Sequence, residues 1–154
     1  MSDQLHRYAP DAPEHIQLAA RCQHIGRWEM PRDQHPMDRK GYLQWRSVLK
    51  ALHATIAGQI LLRCEYDDET IEKVKFVLLK KELFSNADTQ LLEDVICLVF
   101  VEYYLHEFAA KHEDDKVIDI LRKTISKMSA KAIHATGALP LSEKIKTLIH
   151  QAST

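Results

Sequence analysis

Residues 91–104 read LLEDVICLVFVEYY, a run that is apolar on nearly every side. It does not alternate with period two, and no Gly or Pro follows it until Gly137. Such a run predicts a central helix packed by neighbours all round, with a strand as the competing reading because Val95, Ile96, Val99 and Val101 are β-branched. Its surroundings favour the helix. Downstream, Val117, Leu121, Ile125, Met128 and Ala132 share one face of a helix predicted over 114–135. The Gly137 to Pro140 punctuation then precedes Ser142, which caps a short last helix through His150. Upstream, Asp67 or Asp68 caps a helix with Ile71, Val74 and Leu78 inward, ending near Leu83. Before it, Asp38 caps a longer helix to Arg63 with a stripe of Tyr42, Trp45, Leu49, Leu52, Ile56 and Ile60, where Gly58 weakens the helix or admits a close neighbour. Asp11-Ala12-Pro13-Glu14 opens the first helix, which runs to about His24 and stops at Gly26.

Between these helices, residues 27–39 carry Pro31 and Pro36 and predict a long ordered loop. Residues 1–10 are expected to be poorly ordered. The reading is an all-α fold, a single compact domain of about six helices over 1–154.

Composition narrows the function classes. The chain has 154 residues, 45% hydrophobic and 28% charged, with 21 Lys and Arg against 22 Asp and Glu. A chain of this length buries about two thirds of its unfolded surface, so disorder is excluded. A net charge of -1 supplies no overall positive field, so neither nucleic acid nor a membrane is an expected partner, although a local basic pocket is compatible with it. Cys22, Cys64 and Cys97 are odd in number and widely spaced, which fits a reducing compartment and a cytoplasmic location. Nothing in the residues sets an oligomeric state.

Local catalytic motifs are absent: there is no glycine-rich phosphate loop, Gly-x-Ser-x-Gly, His-Glu-x-x-His or Cys-x-x-Cys. The informative residues are polar ones set in apolar helices. His53 lies between Leu49 and Ile56 on an inward face, and Glu93-Asp94 interrupts the most apolar helix. Each also has a structural reading, His53 as a satisfied core histidine and the acids as first-turn residues favoured by the helix dipole. Arg27, Arg32, Arg39 and Arg46, with Trp28, Glu29 and Trp45, cluster around the proline-rich loop. Guanidinium forks suit phosphate or carboxylate bidentately, or they are neutralised in place by Glu29, Asp33 and Asp38. Trp28, Trp45 and Cys97 read as packing residues, Lys80-Lys81 as a solvated helix end, and Glu102 with His106 as a surface i, i+4 pair.

The order of these residues resembles the HD-domain superfamily of metal-dependent phosphohydrolases. Leu18 to Arg27 has the shape of that family's His-Asp-bearing helix, with Gln23-His24 standing where the family has His-Asp. His53 to Leu61 looks like its later His-bearing helix, and Asp94 falls where its last metal-binding Asp would be. Lys80 or Lys81 occupies the place of a further His in some members. Nearly the whole chain resembles a narrower group, the family catalogued as domain of unknown function 4202. That likeness rests on Gln23-His24-Ile25, Arg27-Trp28-Glu29, Pro31-Arg32, Met37-Asp38-Arg39, Tyr42-Leu43-x-Trp45-Arg46, residues 49–54, and Leu92-Glu93-Asp94 running into Phe100. It implies no activity.

What the HD resemblance implies is one divalent metal ion held by His24, His53 and Asp94, with Glu29 or Glu93 as catalytic carboxylates. A phosphorylated small molecule, such as a nucleotide, or another anion would then be bound by Arg27, Arg32, Arg39, Arg46 and Lys80. The other class is an inactive HD-like module that binds a ligand or a protein. Gln23 in place of a metal-binding His favours the second class, since an amide oxygen is a weak ligand; His24, His53 and Asp94 favour the first.

Overall fold

The computed structural model describes residues 1–153 and is 75% helix, with no strand among the described residues. In chain order the helices are α1 (Ser2–Tyr8), α2 (Glu14–Cys22), α3 (Arg39–Arg63), α4 (Asp68–Leu78), α5 (Ala87–Val99), α6 (Leu105–Lys111), α7 (Asp114–Ile125), α8 (Ala130–Ala135) and α9 (Glu143–Ser153). A π turn, Phe100–Tyr104, joins α5 to α6 without a break, so the described residues form eight separate rods where about six were expected. None of these helices is long and apolar enough to cross a membrane. The chain divides into two compact units, one of residues 11–92 and one of residues 3–10 with those from Glu93 on.

In the unit of residues 11–92, α3 packs on α4, and α2 packs on both. Asp38 caps α3 by accepting a hydrogen bond from the Gly41 N–H at 2.7 Å, and Asp67 caps α4 by accepting one from the Thr70 N–H at 2.7 Å. Each cap satisfies a first-turn donor that the helix itself leaves unpaired. The core is Ile16, Ala19 and Ala20 of α2, Trp45, Leu49, Ala54, Ala57 and Leu61 of α3, and Ile71, Val74, Val77 and Leu78 of α4. Trp45, Leu49, His53, Ala57 and Leu61 succeed one another at steps of four. At about 100° per residue that stripe turns round the long helix by about 40° per step. The straight stripe predicted from sequence therefore fails at its ends, where Tyr42 is 46% and Ile60 40% exposed. Helix α4 stops at Leu78, short of Leu83, because Lys80 (φ 57) and Glu82 (φ 53) adopt left-handed backbone.

The second unit holds α1, the rest of α5, the π turn and α6–α9. Val101, Leu105, Ala109, Val117, Leu121, Ile145, Leu148 and Ala152 form its main apolar cluster. Residues 1–10 are not the poorly ordered lead the sequence predicts, because α1 is fastened there. Arg7 donates to both carboxylate oxygens of Glu102 (3.1 and 2.8 Å) and to the Tyr103 hydroxyl (3.0 Å), and it also binds Gln4 Oε1. That bidentate grip, not a pair with His106, is what engages Glu102. The helix predicted over 114–135 divides after Ile125. Ser129 is the new cap, accepting from the Ala132 N–H at 3.2 Å. Cys97 is buried with Leu98, Met128 and Ala132 as a small core residue.

Candidate functional site

Two turns of chain bring His24 and His53 together. After α2 ends at Cys22 the backbone bends through Gly26 at φ +68, a left-handed conformation that a side chain rarely adopts. A Cβ there would also lie 2.3 Å from Ile56 Cδ1, a side-chain tip on α3 that would have to shift. The bend aims the Ile25 carbonyl at His53, whose Nδ1 donates to it at 2.6 Å. A carbonyl can only accept, so the proton sits on Nδ1 and the neutral ring keeps its lone pair on Nε2. Nε2 has no hydrogen-bond partner among the described residues. The His24 ring stands edge-on to His53, centroids 6.2 Å apart and planes at 84°. His53 is 5% exposed, whereas His24 opens to solvent.

The surroundings of both rings are cationic. Crowding by protein atoms, then the positive charge of Arg27, then His53, Arg46 and Lys80, push the His24 pKa down to about 4. Burial lowers that of His53 as well; the bond to Ile25 opposes the fall, and Arg46 and Arg27 add to it. Both rings are therefore neutral at pH 7. The same shifts set a pH dependence of stability. As pH falls through the ordinary histidine range near 6.5, the unfolded chain takes up protons that the folded chain refuses until about pH 4, so the folded state loses stability over that interval. Thermal unfolding should show a midpoint that falls between pH 6.5 and 4, with a shallower fall in His53→Gln. Solvent at His24 screens its share of the effect.

The arginine loop divides into two kinds of residue. Arg32 is a clamp: its guanidinium donates to the carbonyls of His35 (3.0 Å), Pro36 (2.8 Å) and Asp38 (3.3 Å) and lies over the Trp45 and Tyr42 rings at 5.8 and 5.9 Å. Carbonyl oxygens, not Glu29, Asp33 or Asp38 carboxylates, occupy it. Arg27 lies over Trp45 at 5.2 Å, and Trp45 Nε1 donates to the Met30 carbonyl at 2.8 Å, which fixes the loop on α3. Among the described residues neither Arg27 nor Arg46 pairs with a carboxylate. Arg39 is exposed in the first turn of α3. The Glu29 carboxylate lies beside Gly26, its Oε1 3.4 Å from where a Cβ would stand.

The remaining predicted residues have other settings. Lys80, just past α4, contributes positive charge at His24. Gln23 is 6% exposed and its Oε1 is buried without a hydrogen-bond partner among the described residues. Glu93 and Asp94 belong to the other unit, each 3% exposed. There Asp94 accepts from the Ser129 N–H (2.8 Å), the Ser129 hydroxyl (2.5 Å) and the Tyr8 hydroxyl (3.1 Å). No group of three or more His, Cys, Asp or Glu among the described residues is placed to hold a metal ion. Two neutral imidazoles among guanidinium groups fit an anion better than a divalent cation. Sequence reasoning missed Trp45 as the platform for Arg27 and Arg32, since an aromatic at helical spacing signals only packing.

The match to a family model, described as a domain of unknown function (DUF4202), spans residues 1–149. The chain belongs to the DUF4202 family. No curated protein and no solved structure matches it. Within this DUF4202 chain, the pair of neutral histidines beside positive charge is the feature that invites a chemical reading.

Proposed function

We propose that this DUF4202 protein binds a phosphorylated small molecule at the site around His24, His53, Arg27 and Arg46. The observation that carries this reading is the positive charge of Arg27 and Arg46 around two neutral imidazoles, with neither arginine paired to a carboxylate among the described residues. Guanidinium groups left without anionic partners raise one another's electrostatic energy, and a phosphate dianion relieves that repulsion while accepting charge-assisted hydrogen bonds of about 1.5 to 3 kcal/mol each. The neutral rings supply what the arginines lack, a donor or acceptor that can exchange a proton with the ligand.

Hydrolysis of that ligand is the activity the HD resemblance implies. The metal-assisted form of it would draw on His24 and His53, but these two rings alone fall short of the three protein ligands of a typical catalytic zinc site. The chain's own residues instead favour binding and charge neutralisation.

A thermal-shift screen of phosphate-bearing metabolites tests the proposal on the wild type and on Arg46→Ala. A ligand at about 100 times its Kd adds about 2.7 kcal/mol to stability, which for a chain of this size is roughly 5 to 10 °C. The expected result is such a shift in the wild type and its loss in Arg46→Ala. A wild type indifferent to every phosphate compound overturns the reading.

A further inference from the structure

We propose that the groove between α4 and the start of α5 is a second binding site, for a small organic cation with an ammonium head and an apolar body. It shares no residue with the phosphate site and does not depend on that reading. The groove encloses about 610 Å³, within the range of about 300 to 1,000 Å³ usual for small-molecule sites. All of its lining residues belong to the unit of residues 11–92.

The groove arises where α4 stops. Lys80 and Glu82 take left-handed backbone and the chain turns into α5, whose first turn Asn86 caps by accepting from the Thr89 N–H at 3.0 Å. Two rows of α4 line the opening, Asp68, Glu72 and Phe76 in one and Glu69, Lys73 and Val77 in the other, each at steps of four. Each row starts on a carboxylate and ends, about 12 Å along the helix, on an apolar side chain. The groove is therefore acidic at one end and apolar at the other. Val77 is 2% exposed and Phe76 is half-buried, so they supply a floor. Lys81 Nζ lies over the Phe76 ring at 5.7 Å, and its charge disfavours a second cation at that end.

Charge completes the fit. Asp68, Glu69, Glu72 and, from α5, Asp88 line the groove against one lysine, Lys73, which attracts a cation and repels an anion. Asp88 is held by His15 Nε2 at 2.7 Å. The pairs Glu69–Lys73 (2.6 Å) and Glu72–Lys75 (2.5 Å) are exposed, and such pairs are easily exchanged for another cation. Asp68 makes no ion pair among the described residues. Asp68 and Glu72 stand one turn apart, a spacing at which two carboxylates can hold one ammonium between them.

The experiment titrates the nitrogen-15-labelled full chain at pH 7 with 4-phenylbutylamine, the neutral 4-phenylbutan-1-ol and the anionic 4-phenylbutanoate, followed by amide NMR shifts. The expected result is saturable shifts in α4 and residues 86–88, with the amine binding at least about tenfold more tightly than the alcohol and the acid weakest. In the double variant Asp68→Asn, Glu72→Gln the amine should weaken about tenfold while the alcohol, which needs only Phe76 and Val77, binds as before. The ranking of the three probes on the wild type tests the inference whatever the variant's stability. Equal binding of the three probes overturns it, as does an amine that shifts surface acids throughout the chain without saturating. So does an amine without effect on a chain whose α4 signals move with protein concentration, which would make the groove's occupant a second copy.

Discussion

Gly41→Ala is expected to destabilise the protein by about 3 kcal/mol or more, among the largest losses of any single methyl added to this chain. A Cβ at position 41 would stand 2.0 Å from the Pro36 carbonyl oxygen, 2.7 Å from its carbon and 2.8 Å from the Pro36 Cβ. Most of these atoms are backbone, and the carbonyl oxygen is already bound by Arg32 at 2.8 Å, so it cannot swing away without breaking the clamp. Gly41 also donates its N–H to Asp38, the cap of α3. Relief of the clash must therefore come from shifting the start of α3 against residues 36–38, where cap and clamp fail together. For a chain of this length the loss corresponds to a fall of roughly 10 °C in the midpoint of thermal unfolding. An unchanged midpoint would show that the loop does not press on α3 this closely.

Asp94→Ala is the second large effect, at about 3 kcal/mol. The carboxylate is 3% exposed and accepts the Ser129 N–H and the hydroxyls of Ser129 and Tyr8. Truncation removes the acceptor for these donors and loosens the cap that starts α8. Ser129→Ala should cost less, about 1 to 2 kcal/mol, since it removes the hydroxyl and leaves the N–H bond to Asp94. Because the two residues share a network, the double variant should lose less than the sum of the singles. Denaturant unfolding of the four proteins measures this coupling. Strict additivity would mean that Asp94 and Ser129 act independently.

The same residues show what the sequence made legible. The caps Asp38 and Asp67 could be read because each precedes an apolar stripe by the distance that helix chemistry requires. Ser129 could not, since the apolar spacing of Ile125, Met128 and Ala132 runs straight through the break and neither Gly nor Pro marks it. Its partner Asp94 lies 35 residues away, beyond the reach of any local pattern. Asp94 stood out as a carboxylate in an apolar helix and by its place in the HD resemblance, neither of which points to Ser129. Helix α1 went unseen because seven residues with few apolar side chains give no stripe; Arg7, Glu102 and Tyr103 hold it by contacts 95 and 96 residues apart.

The setting of the two histidines was partly legible. His53 and the arginine cluster are unusual where they stand, and their order with His24 is informative. What fixes the pair is the Ile25 carbonyl, aimed by the left-handed Gly26, and the sequence presents Gly26 only as a helix stop. Nor could residue types alone separate Arg32 from Arg27 and Arg46. That distinction depends on three backbone carbonyls that exist only once the loop has folded.

Isothermal titration calorimetry with inorganic phosphate on wild type, Arg46→Ala and Arg32→Lys bears most directly on the proposed anion site. The account predicts saturable binding to the wild type that weakens as salt rises, at least about tenfold weaker binding to Arg46→Ala, and only a stability loss in Arg32→Lys. Equal binding by wild type and Arg46→Ala, or no heat from any of the three, would contradict it.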